Sequence, residues 1–306
     1  MPIDTEPALA IAEPTGARPL SDLEAGDEKA RSRLGLLLAL PGIVYLTVFF
    51  VIPLGFVVVT SFATRTRTGR TAYESWNTDA YSKIISSDLI RTVAWRSLGL
   101  GIITTLICLA LAFPLSYFIS TRKPVVRNLL LIGVMIPFWS NFLVRTYAWR
   151  VLLDSNGLGT RLLGALGLGD GRILFTQKAV VLGMVYGFLP FMVLPLYAAL
   201  ERIDWSLVEA SRDLYASGWG AFRRVVWPLS RPGVIAGSIL VFVPSFGAYI
   251  TPALLGGGKD PLLGSYIVGQ FLQARNWPLG SALSVVVLVV MLAGTIVYFR
   301  TGGRTL

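Results

Sequence analysis

Six long apolar runs, separated by polar connections, dominate the pattern of hydrophobic and polar positions after residue 33. A hydrocarbon core about 30 Å thick needs roughly 20 mostly apolar helical residues to cross it, because every backbone amide must be satisfied within the segment. The pattern therefore predicts an all-α, polytopic membrane protein with six transmembrane helices. The predicted spans cover about residues 34–62, 92–119, 129–153, 179–200, 233–255 and 279–299.

One connection, residues 201–232, is unusual because it carries charged side chains in a helical rhythm. Ser206, followed three residues later by Glu209, fits a capping box at a helix start. Apolar or small side chains then recur at i, i+3, i+4, i+7 and i+8, which builds one helical face. These positions are Leu207, Ala210, Ser211, Leu214 and Tyr215.

A second short helix is predicted after the break at residues 216–218, with Ser217 as its N-cap. Its apolar stripe is formed by Trp219, Phe222, Val225 and Val226. Its polar side is formed by Arg223 and Arg224. Pro228 is expected to end this helix, since an interior proline costs about 3 kcal/mol or more. Pro232 and Gly233 are expected to begin the next span.

The amphipathic pair of helices has two interpretations. It could lie in the membrane interface, or it could dock on a protein partner. The presence of acidic as well as basic groups, and the small Ala210 and Ser211 side chains, favour the protein partner.

Lysine and arginine positions give the expected orientation. With a cytoplasmic N-terminus, the inner segments hold 14 basic residues and the outer connections hold 10. The short turn 121–128 is basic, whereas the longer connection 63–91 also carries carboxylates. By the positive-inside rule, both termini and the 201–232 connection are predicted to be cytoplasmic.

Composition narrows the possible functions. Only 14% of residues are charged and 54% are hydrophobic, against about 25% charged in soluble domains. The net charge of +10 is better explained by membrane topology than by nucleic-acid binding, because the basic residues are scattered among connections and helix ends. Without histidine, and with Cys108 as the lone cysteine, a typical zinc or haem site and an internal disulfide are not expected. Residues 1–33 are polar and are expected to form a disordered cytoplasmic tail.

The stretch EASRDLYASGWGAFRRVVWPLSRPGV, residues 209–234, resembles the EAA loop of membrane subunits of ABC importers. The matching positions are Glu209, Ala210, Val225, Pro228, Pro232 and Gly233. Ser211 stands in place of the second alanine of that pattern, Trp227 in place of its leucine and Tyr215 in place of its glycine. A glycine permits a left-handed turn that tyrosine adopts only at a cost. Two alternatives follow: the first helix continues through Tyr215 and turns at Gly218, or Tyr215 fills a groove on the partner.

The resemblance covers nearly the whole chain after residue 33. The segment IPFWSNFLVRTYAWRVLL, residues 136–153, is similar to the polyamine (spermidine/putrescine) group of such permeases. This implies a type I ABC importer architecture in a bacterial inner membrane, with half of the translocation path formed by this chain.

The partners implied by the resemblance are a second permease, two copies of a cytoplasmic ATPase and an extracytoplasmic solute-binding protein. ATP and Mg would bind the ATPase, because this sequence has no G-x-x-x-x-G-K-[ST] phosphate loop. The chain itself is therefore not expected to be an enzyme. The residues implied in ATPase coupling are Glu209, Ala210, Ser211, Leu214, Tyr215, Gly218, Trp219, Phe222, Arg223 and Pro228.

The predicted spans contain almost no carboxylates, and Asp154 at the end of the third span is the nearest. If the cargo is a polyamine, aromatic side chains are the cation-binding groups this chain offers, unless they are interfacial anchors. Candidate path residues are Trp139, Ser140, Asn141, Tyr147, Ser245, Phe246 and Tyr249. Arg145 and Arg150 could pair with Asp154, meet the binding protein, attract an anion or snorkel to the interface.

Two other functions compete with the importer. An ion-coupled secondary carrier usually needs ionisable residues within the membrane, which are scarce here. A scaffolding membrane protein would transport nothing. Within the importer hypothesis the cargo is spermidine or putrescine, with an opine or another small polar solute as the alternative.

Overall fold

The computed structural model describes residues 38–66, 71–74, 76–165, 173–258 and 261–302. The predicted tail, residues 1–33, lies outside the described residues. Helices dominate the described chain, and a two-residue-per-strand hairpin pairs β1, Thr64–Arg65, with β2, Thr71–Ala72. The first six helices are α1 Leu38–Ser61, α2 Asp79–Ser86, α3 Asp88–Ser120, α4 Pro124–Met135, α5 Phe142–Leu152 and α6 Leu158–Ala165. The others are α7 Gln177–Glu201, α8 Trp205–Asp213, α9 Gly218–Phe246, α10 Ile250–Leu255, α11 Leu263–Leu272 and α12 Trp277–Gly302.

Five helices among the described residues are long and apolar enough to cross a membrane. They are α1, α3, α7, α9 and α12, of which α3 has 33 residues and α9 has 29. At about 1.5 Å per residue, helices of this length exceed a bilayer core. The region predicted as the third span is instead broken, and its parts are bent by 87°.

The break falls after the 3₁₀ turn Ile136–Trp139 that extends α4. Ser140 is extended and Asn141 begins α5 by accepting a hydrogen bond from the Leu143 N–H. A short polar side chain that satisfies a free N–H is a strong helix start, so the chain begins a new helix there. The expected single helix over residues 129–153 is therefore two helices.

Helix α7 forms the centre of the core, where α3 and α9 pack against it. The Cys108 thiol and the Ser116 hydroxyl of α3 donate to the carbonyls of Val185 and Val193. On the other side, a Cβ built on Gly237 of α9 would lie 2.7 Å from the Met192 sulfur. Small and hydroxyl-bearing residues thus let three helices approach closely, as in membrane helix packing.

Candidate functional site

The charged insert between α7 and α9 begins at Asp204, whose carboxylate accepts a hydrogen bond from the Ser206 N–H at 3.0 Å. Helix α8 therefore starts at Trp205, and the predicted capping box at Ser206 is wrong. Aspartate is as good an N-cap as serine, and it stands two residues earlier, so it fixes the earlier start. Hydrogen bonds from the Ser206 hydroxyl and N–H hold the pKa of the Asp204 carboxyl below its usual value of 3.8.

Tyr215 itself makes the turn that ends α8. Its φ is +63°, in the left-handed region. The Tyr215 N–H donates to the Arg212 carbonyl at 2.9 Å, and the Ala216 N–H donates to the Ser211 carbonyl at 3.1 Å. This bonding pattern is a Schellman motif with tyrosine at the position that usually holds glycine. The alternative in which the helix continues through Tyr215 and turns at Gly218 is wrong.

Helix α9 begins after Ser217, whose hydroxyl accepts a hydrogen bond from the Gly220 N–H at 3.1 Å, so this predicted cap is confirmed. The predicted stop at Pro228 is wrong, because the helix runs on to Phe246. A π-helical turn, Phe222–Val226, precedes the proline, and the Trp227 N–H bonds back to the Phe222 carbonyl. The wider turn accommodates the missing proline N–H without a break.

Pro232 and Gly233 lie inside α9 instead of starting it. The insert and the following span thus share one helix. Any displacement of the α9 start is a displacement of that span.

The two sides of the insert differ in burial. Val208 and Ala221 are buried in the core cluster, and the Phe222 ring packs edge-on against Phe113 with centroids 5.4 Å apart. Large apolar side chains also point away from the chain: Leu214 is 82% exposed, Tyr215 99% and Trp219 70%. We call Leu207, Leu214, Tyr215 and Trp219 the exposed apolar residues of the insert.

The remaining residues proposed for coupling are distributed over both sides. Glu209, Ala210, Gly218 and Arg223 are exposed. Ser211 is half-buried and donates to the Val208 carbonyl, and Pro228 is half-buried within α9. The face predicted from Leu207, Ala210 and Leu214 is thus left uncovered by this chain.

The candidate path residues do not form one group. Trp139, Ser140, Asn141 and Tyr147 lie exposed at the bend and on α5. Tyr249 is also exposed, beyond the end of α9. Ser245 and Phe246 are buried, and a Cβ on Gly101 of α3 would lie 3.6 Å from the Phe246 nitrogen. Ser245 and Phe246 are thus buried near the contact between α9 and α3, and their role in the path stays a prediction.

Arg145 is held inside the bend instead of snorkelling. Its Nη1 donates to the Pro137 carbonyl at 2.9 Å, and its guanidinium carbon lies 4.8 Å from the centroid of the Phe138 ring. The Phe138 ring in turn packs edge-on against Phe191 of α7, with centroids 4.9 Å apart. A guanidinium over an aromatic face is attracted by the ring quadrupole, so Arg145 fastens the bend to the core.

Sequence reasoning missed three features of this region. Asp204 could have been found, because an Asp before an apolar periodic run is a cap signal. The inward turn of Arg145 depends on the 87° bend, which no local pattern announces. The third is an ion pair in which the Arg127 Nη1 lies 2.8 Å from the Glu201 Oε1.

Among the described residues, no group of three His, Cys, Asp or Glu side chains is placed to hold a metal ion.

Comparison with known proteins adds a family match. A family model described as "Binding-protein-dependent transport system inner membrane component" matches residues 107–301, which include the insert and four of the long apolar segments. The chain is 41% identical over 258 residues to the spermidine/putrescine transport system permease protein PotB of Haemophilus influenzae, covering 84% of this chain and 90% of that protein. It is 39% identical over 258 residues to PotB of Escherichia coli K12, covering 84% and 93%.

Solved structures show the same fold. A bacterial ABC transporter involved in the import of the acidic polysaccharide alginate matches 91% of this chain and 99% of its own, with a TM-score of 0.72 and 17% identity. The alginate transporter in complex with its pentasaccharide-bound periplasmic protein matches with a TM-score of 0.67 and 17% identity, covering 90% and 97%. The predicted all-α polytopic fold is confirmed, whereas the cytoplasmic location of both termini stays a prediction.

Proposed function

The chain belongs to the family of binding-protein-dependent transport system inner membrane components, and from this membership we propose how it couples ATP hydrolysis to uptake and what it carries. It is a multi-pass inner-membrane permease of an ABC importer and a transporter component, not an enzyme. The proposed role is to form half of the translocation path. The α8–α9 insert would face the cytoplasm and dock on the ATPase.

The observation that carries the coupling proposal is the exposure of Leu214, Tyr215 and Trp219 on a well-capped insert. Large apolar side chains grouped on a short segment outside the spans favour burial against a partner. Both helices of the insert have satisfied N-caps, and the turn between them is closed by two hydrogen bonds. The insert is therefore suited to enter a cleft as a rigid body.

The continuity of α9 supports a mechanical role for the insert. Because α9 passes through Pro228 without a break, a force on Trp219 acts directly on the membrane-spanning part of the same helix. Phe113 of α3 packs against both Phe222 and Trp227 of α9, which fastens this end of α9 to α3 as well. Closure of an ATPase pair would thus move α3 and α9 together.

The remaining partners follow the family. A second permease would complete the path, two ATPase copies would bind ATP and Mg, and an extracytoplasmic binding protein would deliver the solute. Exposed Trp139, Ser140, Asn141 and Tyr147 would then face the second permease or the path. No described residue group in this chain is proposed to bind ATP.

The proposed cargo is a polyamine such as spermidine or putrescine. The reason is that the two PotB relatives, which are 39–41% identical to this chain, are described as spermidine/putrescine permeases. The exposed aromatic rings Trp139, Tyr147 and Tyr249 supply faces for cation–π contact with an alkylammonium ion. An opine or another small polar solute is the alternative. Direct binding of spermidine, putrescine and an opine to the partner binding protein decides among them.

Charge reversal at Glu209 tests the coupling role. Glu209 is exposed on α8, so Glu209→Arg leaves the chain's own packing intact. We expect ATPase copurification and spermidine uptake to fall at least tenfold, with normal amounts of the permease in the membrane. Glu74→Arg reverses an exposed carboxylate before α2 and is the matched control for ATPase copurification. Undiminished copurification and uptake in Glu209→Arg contradict the proposed docking surface.

A further inference from the structure

The ion pair between Arg127 and Glu201 joins two helices that are distant in sequence. The Arg127 Nη1 lies 2.8 Å from the Glu201 Oε1. Arg127 belongs to the first turn of α4, and Glu201 is the last residue of α7. The Tyr197 hydroxyl, one turn earlier on α7, interacts with the same carboxylate. The pair therefore lies where α4 and the insert both begin.

Glu201 is fixed to the insert by a short connection. Residues 202–204 separate it from α8, and within them Ile203 is buried while Asp204 caps the helix. Trp205, the first residue of α8, packs edge-on against Tyr117 of α3, with ring centroids 5.6 Å apart. A displacement of α8 must consequently displace the Glu201 carboxylate.

Helix α4 has few other attachments. None of its residues is buried, although Leu130, Leu131 and Val134 are partly buried against the core cluster. Its far end leads into the 87° bend that carries Trp139, Ser140 and Asn141. With no fully buried residue, α4 is positioned by this partial packing together with the contacts at its two ends.

The ion pair is partly shielded from solvent. The exposed fractions of the side chains are 27% for Arg127 and 40% for Glu201. The Arg127 Nε is buried without a hydrogen-bond partner among the described residues. Solvent weakens such a pair as a source of stability, so its main effect is to fix the position of one helix relative to another.

We infer that the Arg127–Glu201 ion pair is the tie that transmits movement of the insert to α4 and the bend. This inference rests on the proposed function of the insert. Arg127 and Glu201 act as positioning residues: they touch neither ATP nor solute, but they set where α4 stands when the insert moves. Breaking the tie leaves ATP hydrolysis in place and disconnects it from the bend.

The test is a charge exchange in the full complex, reconstituted with its second permease, ATPase and binding protein in liposomes, with spermidine as the probe. Arg127→Glu and Glu201→Arg each place like charges together, and the double exchange restores an opposite pair. Glu201→Gln removes the charge while keeping the shape. We expect the three single variants to lower spermidine taken up per ATP hydrolysed at least fivefold, and the double exchange to return it within twofold of the original. Lys123→Glu changes an exposed neighbouring charge and should keep the original ratio.

Unchanged uptake per ATP in the single variants overturns the tie, as does a double exchange that recovers nothing. A loss of assembled complex with an unchanged ratio in the remainder also overturns it, because that outcome shows a purely structural contact. If the unsubstituted complex has no ATP-dependent spermidine uptake, the proposed function and the tie both fail. If it transports and the single variants keep its ratio, the tie alone fails.

Discussion

Gly233 of α9 lies directly against Pro195 of α7: a Cβ at Gly233 would stand 2.7 Å from the Pro195 carbonyl oxygen and 2.6 Å from the Ala199 Cβ. No backbone atom can move aside cheaply at that distance. The contact explains why the glycine of the Pro232–Gly233 pair matters here. Its role is close helix packing, since it lies within α9.

Gly233→Ala should therefore destabilise the permease by about 1–3 kcal/mol through overpacking. The measurement is thermal unfolding in detergent. Unfolding is monitored by the reaction of a thiol-reactive fluorophore with Cys108, the single cysteine, which is fully buried in the folded chain. Gly133→Ala is the matched control, because a Cβ there meets nothing within 4 Å and alanine favours helix. Equal unfolding temperatures for the two variants contradict this account.

Tyr215→Gly should separate stability from docking. The left-handed conformation costs a non-glycine residue about 1–2 kcal/mol, and the backbone entropy of glycine offsets part of that gain, so unfolding should become harder by about 0.5–1 kcal/mol. ATPase copurification should nevertheless fall severalfold, because the exposed ring is lost. Tyr215→Asn, which also tolerates this conformation, should behave alike. Full copurification in both variants removes Tyr215 from the docking surface.

Asp204 should make the insert sensitive to acid. Its carboxyl has a lowered pKa in the folded chain, so its cap contributes stability above the usual value of 3.8 and loses it as the pH falls through the lower folded pKa. Amide hydrogen exchange in the first turn of α8 should therefore be slow at neutral pH and accelerate, relative to its intrinsic rate, below pH 3.8. Asp204→Asn keeps a cap and should abolish that pH dependence. Asp204→Ala should exchange fast at every pH.

Arg145→Lys should loosen the bend while keeping the charge. Lysine lacks the planar guanidinium that lies over Phe138, so the attraction, about 0.5–2 kcal/mol, is largely lost. With Cys108→Ala and Ser140→Cys as a reporter background, we expect faster thiol labelling at Ser140→Cys and lower spermidine uptake. Arg150→Lys is the control: this guanidinium lies 5.8 Å from the centroid of the Phe175 ring, at the end of the same helix opposite the bend. Equal labelling rates in the two variants contradict a fastening role for Arg145.

The long apolar segments were predictable because membrane burial imposes a length and a composition that a sequence displays directly. The two short amphipathic helices of the insert were predictable because helix caps and apolar spacing depend only on residues close together in the sequence. Two predicted boundaries of this pair were wrong. Asp204 caps the first helix in place of Ser206, and a π-helical turn lets the second helix continue through Pro228.

Features that depend on tertiary contacts were not predictable. The 87° bend after Trp139 brings Arg145 back onto the Pro137 carbonyl, eight residues away in the sequence. The Arg127–Glu201 pair joins residues that are distant in the chain, and a single sequence contains no pairing signal for them. Tyr215 shows a third reason: the Schellman bonds to Arg212 and Ser211 hold a residue in a conformation that its own propensity disfavours.

The unbroken course of α9 has a geometric consequence for transport. The helix has 29 residues, about 43 Å, and Gly233, which packs closely against Pro195 and Ala199 of α7, lies near its midpoint. A rod that rocks on a central fulcrum swings its two ends in opposite directions by similar amounts. A tilt of about 10° would carry each end about 4 Å, so an inward pull on Trp219 would push Phe246 outward without any hinge inside the helix.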